Sequence, residues 1–189
     1  MQIIVITGCP GSGKTTIARM LSRKLKANVL SLTNFIIKNK IFEYQNNEKV
    51  VDIKKLKKTL EKEIKKISKK EKFLIVEGHL ACDFSISYSA KVIVLRRSLN
   101  ILKKEMEKRK YSLKKISDNL ILEAFDYFGE NSKKHYKNVF EIFVKGKTTT
   151  LKKILRIVKG EAIDETKLAN SIEKKQLLYM LRKNQLQLL

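Results

Sequence analysis

Three of the chain's seven glycines (Gly8, Gly11 and Gly13) and its only proline, Pro10, fall within six consecutive positions. Glycine goes where φ must be positive, or where something approaches the backbone too closely for a Cβ. Gathering so much of a scarce supply in one place predicts a specialised loop. Gly8-Cys9-Pro10-Gly11-Ser12-Gly13-Lys14-Thr15, with Thr16 behind it, fits G-x-x-x-x-G-K-[ST]. The run 3–7 ahead of it is apolar and β-branched, and Ile17, Leu21 and Leu25 after it share one helical face. The loop is therefore expected to join a buried strand to an amphipathic helix.

Such a loop turns its backbone N–H groups inward around a phosphate, and the helix adds its positive end. On this reading Gly11, Gly13, Lys14, Thr15 and Thr16 hold the phosphates of ATP. Lys14 reaches the β- and γ-phosphates, and the Thr15 hydroxyl ligates Mg²⁺.

The rest of the chain alternates two periods. Apolar, β-branched runs at 3–7, 29–32, 73–76, 92–95 and 139–144 predict five strands. Between them lie helical spacings: Val50, Ile53, Leu56, Leu60, Ile64 and Ile67 on a helix whose outer face is mostly lysine; Leu99, Leu102 and Met106; then Leu113, Ile116, Leu120, Ala124 and Tyr127. Strands separated by helices give an α/β fold, here a three-layer P-loop NTPase sandwich around a five-stranded parallel sheet. The chain's 189 residues suit one domain, residues 1–160, with an extension at 161–189 that reads as a further helix (Leu168, Ile172, Leu178, Leu181).

A P-loop enzyme needs a carboxylate at the end of a neighbouring strand to hold Mg²⁺ or its waters. Glu77 and His79 follow the 73–76 strand, at the sheet edge where ligands bind. The plainer alternatives are a solvent-facing strand-end charge and a loop histidine that satisfies a carbonyl. Arg109, inside Lys108-Arg109-Lys110, suits a basic loop that closes over phosphate, since a guanidinium forks two oxygens. Arg96 and Arg97 stand at the same sheet edge as the loop and are open to either reading. His135 has no partner at an informative spacing and reads as structural. Cys9 lies at a freely varying loop position, where its modification would block nucleotide binding.

The net charge of +23 suits polyanions such as nucleotides or RNA, although a chain rich in Lys, Ile and Asn also reflects genomic base composition or a hot or salty cytoplasm. Cys9 and Cys82, the only cysteines, exclude a disulfide framework and a thiol metal cluster. Residues 1–7 lack a basic leader, and no run reaches the roughly 18 to 20 apolar residues of a membrane span. A cytoplasmic location is the default expectation.

These motifs together resemble the atypical adenylate kinases of the adenylate kinase isoenzyme 6 type, in particular their archaeal members. The stretch Ile6-Thr7-Gly8-Cys9-Pro10-Gly11-Ser12-Gly13-Lys14-Thr15-Thr16 is close to the family's T-G-x-P-G-x-G-K-T-T. Ile75-Val76-Glu77-Gly78-His79 matches a strand ending in Asp-x-His, and Val92-Ile93-Val94-Leu95-Arg96 matches V-x-V-L-R. Glu107-Lys108-Arg109-Lys110-Tyr111 is similar to E-x-R-G-Y, with Asp118-Asn119-Leu120 and Glu123 in the helix that follows. The match runs over about 3–158.

The resemblance implies phosphoryl transfer from ATP to AMP or a related monophosphate, with ATPase activity. It implies a monophosphate-binding segment at about 30–51 and a short lid at about 108–118, with Arg109 on ATP. It also implies a role in late small-ribosomal-subunit maturation and rRNA processing, through transient contact with a ribosomal protein. Three residues depart from the pattern: Glu77 for Asp, Lys110 for Gly, and Asn34 for the Asp that usually follows the second strand.

Overall fold

The computed structural model describes residues 1–45, 48–86 and 89–161. Its first half runs β1 (Gln2–Thr7), α1 (Lys14–Leu25), β2 (Asn28–Ser31), α2 (Leu32–Lys38), β3 (Phe42–Gln45), β4 (Glu48–Val51) and α3 (Ile53–Ile67). The second half runs β5 (Phe73–Glu77), a 3₁₀ turn (His79–Cys82), β6 (Ala90–Arg96), α4 (Leu99–Lys108), α5 (Leu113–Ala124), α6 (Tyr127–His135), β7 (Asn138–Phe143) and α7 (Lys147–Lys159). The extension expected at 161–189 lies outside the described residues beyond Glu161.

All five expected strands form, in one parallel sheet of order β2-β5-β1-β6-β7. Because successive side chains of a strand point to opposite faces, each strand feeds two cores. Ile3, Val5, Leu74, Val76, Val92 and Val94 pack with Leu56, Leu60 and Ile64 of α3 and Leu99, Leu102 and Met106 of α4. Ile4, Ile6, Ile75, Ile93 and Leu95 face the other way, onto Ile17 and Leu21 of α1 and Leu151, Ile154 and Ile157 of α7. The result is the three-layer sandwich, with helices on both faces. The chain leaves β1 first toward β5 and β2, then toward β6 and β7, so a crevice opens beyond the carboxyl ends of the central strands.

Three expectations are corrected. Val50 does not belong to the lysine-rich helix: it pairs with Glu43 in a β3–β4 hairpin, and α3 starts at Ile53, after Asp52 caps the Lys55 N–H at 2.9 Å. Leu32 opens α2 instead of closing β2. The spacing from Leu113 to Tyr127 is not one helix, because Asp126 takes a left-handed conformation (φ 57°) that ends α5 and restarts the chain as α6. Leu113 accordingly buries little and is 81% exposed. Helices α2, α6 and α7 were not anticipated, although Leu151, Ile154, Ile157 and Val158 of α7 recur at helical spacing. Among the described residues no helix is long and apolar enough to cross a membrane.

Candidate active site

The β1–α1 loop is shaped by what surrounds it. A Cβ on Gly8 would sit 2.4 Å from the Leu95 carbonyl oxygen, at φ 129°, so only glycine lets the loop leave β1 against β6. Gly13 precedes α1 in the left-handed conformation, and no side chain caps the helix there. Asp52 and Ser112 cap α3 and α5, whereas α2, α4, α6 and α7 share the uncapped start of α1 and lack its glycine loop. The first-turn amides of α1 therefore lack a capping side chain, the arrangement that receives an anion. The Ser12 hydroxyl, buried beside them, has no hydrogen-bond partner among the described residues.

Lys14, the first residue of α1, folds back over this loop and donates to the Gly8 and Cys9 carbonyls at 2.8 and 2.9 Å. Burial, with Arg109 adding to it, lowers its pKa to about 8 against the opposing pull of Cys9 and Glu77. The Thr15 hydroxyl donates to Glu77 Oε2 at 3.2 Å. Glu77, last residue of β5, is only 5% exposed, so the solvent-facing alternative does not hold. A hydroxyl and a carboxylate in contact at the loop mouth form an oxygen donor set of the kind a hard divalent cation takes.

His79 opens the 3₁₀ turn. Its carbonyl accepts from the Thr7 hydroxyl at 3.1 Å, which pins the turn to β1. His79 is exposed at the rim of the cleft, where desolvation and then the nearby Lys14 lower its pKa against Asp83. Gly78 makes room for α2: a Cβ there would meet the Leu32 Cβ at 2.8 Å.

A cleft of about 1330 Å³ brings Gly11, Gly13, Lys14, Thr15, Thr16, Glu77, His79 and Arg109 to one surface, so every sequence-predicted site residue lines it. Arg109 is exposed at the C-terminus of α4, where the chain turns into α5. The same cleft is lined by the 30–51 segment: Asn34 and Ile37 of α2, Phe42 and Val51 of the hairpin, and Lys49, whose ammonium lies 4.7 Å from the Phe42 ring centroid.

The remaining candidates separate. Arg96 lies outside the cleft, 4% exposed, bound to Glu123 at 2.8 Å, Glu141 at 3.0 Å and Asp126. Arg97 braces the loop from behind, donating to the Gly11 carbonyl at 3.2 Å. Cys9 is fully buried, and burial raises its thiol to about 12, so the loop cysteine is shielded from modification. His135 is exposed at the end of α6.

Among the cleft residues that the sequence reading did not assign to the site are Arg19 of α1, Asp83, Tyr127 and Asn131. Asp83 Oδ1 accepts from the Tyr127 hydroxyl and the Asn131 amide, each at 2.7 Å. The one available signal was an acid four residues past His79 in a strongly basic chain.

Comparison with known proteins places this geometry in a family. A family model described as an AAA domain matches residues 4–137. A protein of Methanocaldococcus jannaschii named "Putative adenylate kinase" is 37% identical over 126 residues, 65% of this chain and 67% of that one. Its namesake from Pyrococcus furiosus is 34% identical over 147 residues, covering 78% and 77%.

The chain belongs to the atypical adenylate kinase family.

Solved structures agree with this atypical adenylate kinase at the level of fold. A sugar kinase from Janibacter superposes with a TM-score of 0.62 at 14% identity, over 84% of this chain and 95% of that one. Shikimate kinase from Acinetobacter baumannii gives 0.58 at 16% identity, over 86% and 95%. Family and fold together make the chain a P-loop phosphotransferase.

Proposed function

We propose that the chain is a nucleoside monophosphate kinase of adenylate kinase type, moving the γ-phosphate of ATP to AMP or a related monophosphate. The observation that carries this reading is one cleft lined by both the phosphate loop and the 30–51 segment. Donor and acceptor phosphates then meet above Glu77 and Thr15.

The loop amides and Lys14 hold the triphosphate. For that, Lys14 must leave the Gly8 and Cys9 carbonyls and turn outward to the β- and γ-phosphates. The monophosphate lies against Asn34 and Phe42, with Lys49 near its charge, and one of its phosphate oxygens attacks the γ-phosphorus in line. Lys14 and Arg109 stabilise charge that spreads over the transferring group. The turn at 108–118 closes over it and excludes water. His79 offers a hydrogen bond at the rim of the cleft. Thr15 and Glu77 hold Mg²⁺, which supplies charge neutralisation and template chemistry when bound. Water reaching the γ-phosphate with the acceptor site unfilled accounts for ATPase activity.

A cytoplasmic role in small-subunit maturation and rRNA processing, by transient contact with a ribosomal protein or pre-ribosome, fits the resemblance and the lysine-covered outer face of α3. ADP formation across a panel of nucleoside monophosphates tests the reading, with and without purified small-subunit proteins. The kinase reading expects ADP formation to rise steeply with AMP. Hydrolysis that ignores AMP and rises with a ribosomal protein marks an ATP switch instead. Indifference to every monophosphate points to a small-metabolite kinase.

A further inference from the structure

The cleft is cationic: Lys14, Arg19, Lys49, Arg109 and Lys115 line it, against two carboxylates, Glu77 and Asp83. Glu77 is accounted for by Thr15. Asp83 is not, and a carboxylate facing bound phosphates weakens their binding by like-charge repulsion.

The protein nevertheless holds this carboxylate firmly. Asp83 follows the 3₁₀ turn and is half-buried. Its Oδ1 accepts three donors: the Tyr127 hydroxyl at 2.7 Å, the Asn131 amide at 2.7 Å and the Cys82 thiol at 3.4 Å. Asn131 also donates to the Tyr127 oxygen at 3.3 Å, so the two side chains from α6 brace each other, one turn apart. With Oδ1 saturated from the protein side, Oδ2 is the acceptor left for the cleft.

We infer that Asp83 is a specificity-determining residue, whose free carboxylate oxygen accepts a hydrogen bond from an uncharged donor, a sugar hydroxyl or a base amino group, on the phosphoryl acceptor. Its place in the cleft assigns it to the acceptor: Asp83 shares the lining with Asn34, Phe42 and Lys49 of the 30–51 segment, and it is held by α6 and the 3₁₀ turn, neither of which belongs to the phosphate loop. A half-buried acceptor of this kind gives selection by rejection. A nucleotide lacking the donor leaves Oδ2 without its partner while the phosphates still repel the carboxylate.

The inference rests on the monophosphate kinase reading, and its test keeps the two separable. Wild type, Asp83→Asn and Tyr127→Phe are assayed with AMP, 2′-deoxy-AMP, 3′-deoxy-AMP and IMP, which lacks the amino group. In the wild type one analogue should lose roughly 10- to 100-fold in kcat/KM relative to AMP, and the analogue that does so distinguishes hydroxyl from amino recognition. In Asp83→Asn that discrimination should shrink to about twofold while KM for ATP stays within about twofold; Tyr127→Phe should fall between. Discrimination kept intact in Asp83→Asn, absent already in the wild type, or lost together with ATP binding overturns the proposal. If no monophosphate supports turnover, the kinase reading fails, and calorimetric titration with the same nucleotides decides Asp83 alone. AMP binding lost in Asp83→Asn supports the assignment, while equal affinity, or no affinity in the wild type, overturns it.

Discussion

The Thr15 hydroxyl donates to the Glu77 carboxylate across 3.2 Å, tying the first turn of α1 to the end of β5 at the floor of the cleft. This contact joins the two sequence features that pointed most directly to chemistry, the phosphate loop and the acid closing the third predicted strand. It makes them one oxygen-rich corner.

Removing either oxygen should weaken metal use. Thr15→Val and Glu77→Gln are each expected to raise the Mg²⁺ concentration for half-maximal activity by about 10- to 100-fold. Glu77→Asp, which restores the residue usual in the family, should retain most activity. Titrating Mg²⁺ at fixed ATP measures this, and an unchanged Mg²⁺ requirement in Glu77→Gln removes Glu77 from the metal site.

Lys14 predicts a proton linked to ATP. Burial holds its pKa near 8 in the free protein, below the ordinary lysine value of 10.5. Between those values the unfolded chain carries a proton that the folded chain lacks, so the Lys14 contribution to stability increases as pH rises through the window. Phosphates favour the charged form, so ATP binding raises the pKa again. Calorimetry at about pH 9, in buffers of different ionisation enthalpy, should report uptake of close to one proton, and almost none at about pH 6.5. Identical heats in both buffers at the higher pH contradict the assignment.

Arg96 is a structural cation. It is 4% exposed and bound to Glu123, itself 1% exposed. Burial raises the Glu123 pKa, and Arg96 opposes that shift. Arg96→Met strands a buried carboxylate and should cost about 3–5 kcal/mol in urea unfolding. Adding Glu123→Leu should recover at least half of the loss, a coupling that independent sites would not show.

Lys110 occupies a strained position. It is held at φ 55° in the turn after α4, where the family pattern has glycine. Lys110→Gly should therefore stabilise the protein by about 1 kcal/mol, read as a higher Tm, with no loss of ATP affinity. A lower Tm would mean that the lysine side chain itself supports the turn.

Much of this architecture was legible in the sequence because it is local. Gly8 to Thr16 declares its loop through composition, and the five strands declare themselves through continuous apolar runs, as expected of a parallel sheet covered on both faces. Glu77 and His79 were found because strand ends in such sheets face ligands. What escaped depends on distance along the chain. Asp83 meets its partners 44 and 48 residues away, and Arg96 meets Glu123 and Glu141 at separations of 27 and 45, so no spacing rule distinguishes them from other charged residues. The β3–β4 hairpin escaped for another reason. Its strands are short and largely exposed, and Val50 happened to continue the apolar period of α3.

The central claim is that the Gly8 to Thr16 loop binds and activates the triphosphate for transfer to a monophosphate. The most direct test compares the rate of ADP formation from ATP plus AMP in wild type and Lys14→Ala, with folding of the variant checked by circular dichroism. The account predicts AMP-dependent ADP formation in the wild type and a kcat/KM lower by about 100-fold or more in folded Lys14→Ala. Equal rates in the two proteins would contradict it.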